Sequence, residues 1–79
     1  MKVVIAKVDE VYFDGVADSL TAPGTEGQLT VMAHHMPLVT TLKAGNVTIR
    51  GEQIPGGLQT FEVSGGILEV NQGGATILL

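Results

Sequence analysis

The sequence predicts an all-β fold, a two-sheet β-sandwich of nine to ten short strands. Pairs of turn-forming residues recur about every 8 to 12 residues, which is the spacing of sandwiches and barrels. No window of about 11 residues has a helical period of 3.6. Because so many short strands cannot form one flat sheet without exposing an apolar face, we expect two sheets packed about 10 Å apart. The turn pairs are Asp14-Gly15, Pro23-Gly24, Gly45-Asn46, Gly56-Gly57, Gly65-Gly66 and Gly73-Gly74.

The first half of the chain predicts four strands. Residues 2–8 are rich in β-branched side chains, which favour strands. Residues 11–13 are expected to form a hairpin with residues 16–22 across an Asp14-Gly15 turn. Residues 28–33 alternate, with Leu29, Val31 and Ala33 on one face and Gln28, Thr30 and Met32 on the other.

The second half predicts five more strands with the same alternation of apolar and polar positions. The last of them, residues 75–79, is apolar to its end and carries no polar tail. Either this end is tucked into a sheet or a longer natural chain was cut here, and we favour the cut. We interpret residues 1–79 as one domain, because no linker or repeat is visible. The five strands cover residues 38–42, 46–50, 58–63, 67–71 and 75–79.

Composition argues against nucleic acid as a partner. The net charge is −4 with only four Lys and Arg residues, too few to follow a phosphate backbone. Three aromatic side chains leave little for base stacking. There is no cysteine, no apolar run near the roughly 18 residues of a membrane span, and no signal-peptide cleavage pattern. The core is expected to be aliphatic.

No metal site is predicted at the adjacent histidines His34 and His35. Neighbours on a strand point to opposite faces, so one ion could not easily use both imidazoles. A zinc site needs three or four ligands, and the chain has no other His and no Cys.

Catalytic residues are not predicted either. Ser64 precedes Gly65-Gly66 and lies outside a nucleophile-elbow motif. The carboxylate pairs Asp9-Glu10 and Asp14/Asp18 are interpreted as solvated loop charges, because a small sandwich has little room for a cleft. We therefore expect a non-catalytic protein without cofactor.

Four apolar residues exceed what a two-sheet core needs: Met32, Met36, Val39 and Ile54. An apolar patch on an outer face would mark a partner site, and methionine adapts well to such surfaces. The alternative is that these side chains fill loops under the ends of the sandwich. The pattern does not choose between the two.

Residues 22–45 read APGTEGQLTVMAHHMPLVTTLKAG, and residues 61–70 read FEVSGGILEV. The two runs resemble, in order, the APGxEGELGVLPGHAPLLTxLKPG and SGGFLEV segments of the N-terminal domain of F-type ATP synthase epsilon subunits. The resemblance covers nearly all 79 residues. It departs from the family at Gln28, at Ala33-His34 and at Ala44. The family's α-helical C-terminal hairpin has no counterpart in the chain.

This resemblance implies a ten-stranded sandwich on the central rotor stalk, which helps to couple ion flow to ATP synthesis. The implied partners are the gamma subunit and the c-ring, with the protein peripheral at the cytoplasmic face of the bacterial inner membrane. The implied contact residues are Glu26, Gly27 and Gln28 in a turn at the c-ring end, with His34, His35 and Met36 in a neighbouring loop of that end.

Two other classes of function remain open from the residues alone. A free-standing β-sandwich module for a small ligand or carbohydrate would be expected to show an aromatic platform. A hydrolase would need a pocket that joins His34 or His35 to Ser64 or to a carboxylate.

Overall fold

The computed structural model describes residues 1–79 and confirms the all-β prediction. Nine strands follow one another, with a single 3₁₀ turn, Pro55–Gly57, as the only helical segment. No helix is long and apolar enough to cross a membrane. The strands are β1 (Lys2–Lys7), β2 (Glu10–Val16), β3 (Ser19–Gly24), β4 (Gly27–Met32), β5 (Leu38–Leu42), β6 (Gly45–Arg50), β7 (Leu58–Val63), β8 (Gly66–Asn71) and β9 (Gly74–Leu78).

The strands form two layers that are continuous at one corner. The first layer has the order β2-β1-β9-β8-β5, and the second has the order β4-β3-β6-β7. All neighbours are antiparallel except β1 and β9, which are parallel. The layers join where Gly24 of β3 pairs with Leu42 of β5. Folding the sheet at this corner brings its two apolar faces together.

The core between the layers is aliphatic, as the composition predicts. All buried side chains are apolar, and fifteen of them form one cluster. Each buried Val, Leu or Ile contributes about 1.5–3 kcal/mol relative to an exposed one. Phe13 and Phe61 close the open side, where their rings meet edge to face with centroids 6.2 Å apart. The largest fully buried side chains are Ile5, Leu20, Ile49, Leu68, Ile77, Val3, Val31 and Val47.

The prediction of a turn at Asp14-Gly15 is wrong, because both residues lie inside β2. Asp14 pairs with Val4 and Gly15 pairs with Val3. Gly15 is needed for packing, since a Cβ there would lie 3.0 Å from Cζ of Phe13. The chain reverses at residues 8–9 and 17–18 instead.

Successive connections between strands lie at opposite ends of the sandwich. We call one end the turn end, which holds residues 8–9, 25–26, 43–44 and 64–65. The other is the loop end, which holds residues 17–18, 33–37, 51–57 and 72–73. The turn end has only two-residue connections, whereas the loop end also carries the two longest connections of the chain.

Candidate partner-binding surfaces

The predicted contact residue Glu26 lies at the tip of the β3–β4 hairpin, on the turn end. Thr25 and Glu26 form the two-residue turn between the paired residues Gly24 and Gly27. Gly27 has a φ of 136°, which glycine adopts without the steric cost that a side chain brings. The predicted residues Gly27 and Gln28 are therefore the first residues of β4 rather than turn residues. Like Glu26, they are exposed.

This hairpin is fastened to the end of β5 in the other layer. The Thr25 amide donates to the carbonyl of Thr41 at 3.1 Å, and the two threonine hydroxyls lie 3.0 Å apart. The Lys43 amide donates to the carbonyl of Pro23 at 2.9 Å. A shallow groove runs beside the hairpin, where Glu26 and Gln28 face Val39 and its neighbours on β5. The turn is therefore a fixed, acidic protrusion beside an apolar side chain.

The other predicted contact residues, His34, His35 and Met36, lie in the connection 33–37, which we call the histidine loop. His34 has a φ of 69°, the left-handed conformation that few residues other than glycine adopt. The His35 amide donates to the carbonyl of Met32 at 3.1 Å, and its Nδ1 lies 2.7 Å from the carbonyl oxygen of Met36. Both bonds are internal to the loop and its flanking residues.

A cleft opens between the histidine loop and the β8–β9 turn, and we call it the loop-end cleft. Its walls are Met1, Met32, His34 and His35 on one side and residues 70–74 on the other. An adjoining depression is lined by the same two histidines and by Met36, Pro37, Asn71 and Gln72. Met32 and Met36 are 60% and 77% exposed, so their thioethers are open to a ligand or a partner.

The expectation that the hairpin turn and the histidine loop form one end of the molecule is wrong. They flank β4, the strand from Gly27 to Met32, and so lie at opposite ends of it. At about 3.3 Å per residue, six residues separate the two sites by roughly 20 Å. One flat partner surface cannot cover both sites without also covering a whole face of the sandwich.

The outer faces of the two layers differ in character. On the first layer, exposed apolar side chains stand on β2, β5, β8 and β9, and Ile67 is paired directly with Leu78. On the second layer a row of four threonines crosses β4, β3, β6 and β7 in register. We call the outer face of the first layer the apolar outer face, because it carries the exposed side chains of Val16, Val39, Ile67 and Leu78. The charged side chains of Lys2, Asp14 and Glu69 stand among them on the same face.

The four surplus apolar residues are divided between the two alternatives. Met32, Met36 and Val39 are exposed, while Ile54 is only 3% exposed and fills the core beneath the connection 51–57. Ile67 and Leu78 were not predicted to be surface residues. The available signal was that Ile67 and Leu68 are adjacent, since neighbours on a strand face opposite sides and one of the two must point outward.

A catalytic arrangement of Ser64 with a histidine is excluded by geometry. Ser64 lies at the turn end, whereas His34 and His35 lie at the loop end. No Ser, Asp or Glu lines the cleft beside the histidines. Nowhere do three or more His, Cys, Asp or Glu side chains cluster as a zinc site would require. Phe13 and Phe61 pack against the core, so they do not form an exposed aromatic platform.

Fold and surfaces together define a small β-sandwich module with two structurally different ends and one apolar outer face. The family described as "ATP synthase, Delta/Epsilon chain, beta-sandwich domain" matches residues 1–79. The chain belongs to this family.

Curated relatives carry the name ATP synthase epsilon chain. The one from Mesorhizobium japonicum is 43% identical over 61 residues, which are 77% of this chain and 44% of the relative. The one from Caulobacter vibrioides is 39% identical over 66 residues, which are 84% of this chain and 73% of the relative. The chain therefore spans less than half the length of the first relative.

Two solved structures share the fold. A chain of the Euglena gracilis mitochondrial ATP synthase, in a structure of its OSCP/F1/c-ring assembly, has a TM-score of 0.84 and 26% identity over 96% of this chain and 48% of that one. A chain of the Tetrahymena thermophila mitochondrial ATP synthase central stalk and c-ring has a TM-score of 0.76 and 22% identity. The latter covers 98% of this chain and 60% of the other, and it supports the fold alone.

Proposed function

We propose that this chain is the β-sandwich part of an ATP synthase epsilon subunit, a non-catalytic component of the central rotor stalk. In this role it binds the gamma subunit and the c-ring and helps to couple ion flow to ATP synthesis. The family match over residues 1–79 carries the proposal. The similarity to a chain of a solved OSCP/F1/c-ring assembly supports it. The protein would then be peripheral to the membrane, at the cytoplasmic face of the bacterial inner membrane, through its complex.

The geometry supports a division of labour between the two ends of β4. We assign the hairpin turn with Glu26, Gly27 and Gln28 to the c-ring, because a rigid protrusion can keep a fixed contact with a ring that turns together with it. The histidine loop and the adjacent apolar outer face are assigned to the gamma subunit. Methionine-rich and apolar surfaces pack well against the side chains of a partner.

Single engineered cysteines test this assignment, because the chain has no natural cysteine. Gln28→Cys and Met36→Cys would each carry a photoactivated maleimide cross-linker in an ATP synthase reassembled with this chain. We expect Gln28→Cys to link to the c subunit and Met36→Cys to link to gamma. Mass spectrometry of the linked peptides identifies the partner.

Thr48→Cys is the matched control, since Thr48 lies in the threonine row on the other outer face. It should link to neither subunit. If both test variants link to the same subunit, the division between the ends is wrong but the rotor function stands. If the chain fails to assemble with gamma and the c-ring at all, the proposed function itself fails.

A further inference from the structure

Both histidines and all three methionines of the chain surround the loop-end cleft and the depression beside it. Imidazole nitrogen and thioether sulfur are ligands for soft metal ions, and thioethers in particular select Cu⁺. We propose that one Cu⁺ ion binds where the cleft and the depression adjoin, through the imidazoles of His34 and His35, which line both, and the thioethers of Met32 from the cleft and Met36 from the depression. The proposal concerns this chain alone and does not depend on the proposed rotor function.

His34 and His35 are not separated as two neighbours on a strand would be, with their side chains on opposite faces. In the structure both lie in a turn after β4, and the left-handed conformation of His34 interrupts the strand alternation. As a result both imidazoles line the same cleft.

The hydrogen bond of the His35 ring prepares its other nitrogen for a metal. Nδ1 lies 2.7 Å from the carbonyl oxygen of Met36. Because a carbonyl can only accept, Nδ1 carries a proton, and in the neutral ring Nε2 then keeps its lone pair. Histidine ligands in metal sites usually have such a bond from the second nitrogen to a carbonyl or carboxylate.

The lining of the cleft favours a soft monovalent ion over Zn²⁺. No carboxylate and no cysteine line the cleft or the depression. Zn²⁺ takes four ligands from Cys, His, Asp and Glu, and only two such residues are present there. Neutral imidazoles and thioethers can bind Cu⁺ without added negative charge.

The test uses the chain without a polyhistidine tag and two ions. Cu⁺ is titrated under anaerobic, reducing conditions in competition with bicinchoninate, and Ag⁺ serves as a soft probe that does not change oxidation state. We expect one ion per chain. In spectra of ¹³C-methyl methionine, the signals of Met32 and Met36 should shift on addition of Ag⁺. Zn²⁺ should displace neither Cu⁺ nor Ag⁺ from this site.

The variant His34→Gly removes one ligand and permits the left-handed backbone, so it is expected to stay folded. It should weaken Cu⁺ binding at least about tenfold, since even outer-shell partners of metal ligands cost this much. Met36→Leu, of similar volume, should weaken binding as well, whereas Gln72→Ala in the same cleft should leave it unchanged. Equal Cu⁺ affinity in His34→Gly and the parent chain would overturn the proposal, as would Zn²⁺ binding as tight as that of Cu⁺.

Discussion

The two ends of β4 are held in different ways. At the turn end, a two-residue turn is fastened to β5 by backbone bonds at 3.1 and 2.9 Å and by a pair of threonine hydroxyls. At the loop end, the five residues of the histidine loop make hydrogen bonds only within the loop and to Met32. Segments with few ties to the rest of a fold open with the least free energy. The hairpin turn is therefore the rigid site and the histidine loop the adaptable one.

This difference is not a general property of the two ends. The connection 51–57 also lies at the loop end and is longer, but Ile54 anchors it in the core. Its backbone also closes on itself through a bond from the Gly51 amide to the carbonyl of Gly57 at 3.1 Å. A long connection is thus fixed when it places one apolar side chain in the core. The histidine loop keeps its one methionine, Met36, on the surface instead.

The largest expected effect comes from adding a methyl group to Gly24, where the two strands of the hairpin lie close together. A Cβ on Gly24 would lie 2.7 Å from both the Gly27 carbonyl oxygen and Cδ2 of Leu29. Gly24→Ala should therefore lower the free energy of unfolding by about 1–3 kcal/mol, as overpacking typically does. Urea denaturation measures it.

The control for that variant is Gly73→Ala at the loop end. A Cβ there would meet only the side-chain oxygen of Asn71, at 3.2 Å, and this side chain is exposed. Its effect should stay within about 0.5 kcal/mol, as for most surface substitutions. Equal losses in the two variants would contradict the view that the hairpin turn is the more tightly constrained site.

The strands and the hairpin turn were predictable because they depend on local sequence. Alternation places Leu29 and Val31 toward the core. The turn expected at Pro23-Gly24 lies two residues later, at Thr25-Glu26, because Pro23 and Gly24 pair with β4 as the last residues of β3. The position of Asp14-Gly15 was not predictable in this way. Its turn propensity is overridden by pairing with β1 and by the ring of Phe13, which lies over Gly15.

The candidate sites were only half predictable. Motif resemblance identified Glu26 to Gln28 and His34 to Met36, but not that they lie at opposite ends of one strand. To predict this arrangement, one must know where β4 ends. The sequence does not mark that end, because the alternation of β4 continues through Ala33. The pairing of Ile67 with Leu78, which builds the apolar outer face, joins two strands and could not be read from either alone.

The second prediction concerns the left-handed residue of the histidine loop. A left-handed conformation costs a residue other than glycine about 1–2 kcal/mol, and substitution by glycine removes this cost. Part of the gain in stability is lost again, because glycine has more conformational freedom in the unfolded chain. His34→Gly should therefore raise the free energy of unfolding by about 0.5–1 kcal/mol. Thermal and urea denaturation at one pH measure the change.

Ala33→Gly is its matched control in the same loop. Ala33 has no positive φ, so glycine brings only its entropic cost and should destabilise by up to about 1 kcal/mol. The two glycine substitutions are expected to have opposite signs. A loss of stability in both would show that the conformation of His34 is not a source of strain.

A double-mutant cycle measures the coupling energy between the hairpin turn and β5. Thr25→Val and Thr41→Val, singly and together, form a double-mutant cycle on the hydroxyl pair at 3.0 Å. We expect a coupling energy of about 0.5–1 kcal/mol, typical of one hydrogen bond near the surface. In parallel, amide exchange at Thr25 should be slower than at His34. Coupling within error of zero, with equal exchange at both amides, would remove the contrast between the two sites.

The smallest expected effect concerns the pKa of Lys7, which lies at the turn end, where β1 meets β2. Nζ of Lys7 lies 5.9 Å from the centre of the Tyr12 ring. The pKa of Lys7 is raised above its usual 10.5, first by a hydrogen bond to Tyr12 and then by the charges of Tyr12 and Glu10. Because the folded pKa is the higher one, this contribution to stability is present below pH 10.5 and is lost as the pH rises through the folded pKa.

Between pH 6 and 9, Tyr12→Phe should therefore not change how stability varies with pH, since this whole range lies below the usual pKa of Lys7 and the side chain stays largely protonated in both the folded and the unfolded state. NMR titration of the Lys7 Nζ resonance should show its pKa falling toward the usual value in Tyr12→Phe, and falling less in Glu10→Gln. An unchanged pKa in Tyr12→Phe would show that the hydroxyl of Tyr12 is not what raises the pKa of Lys7.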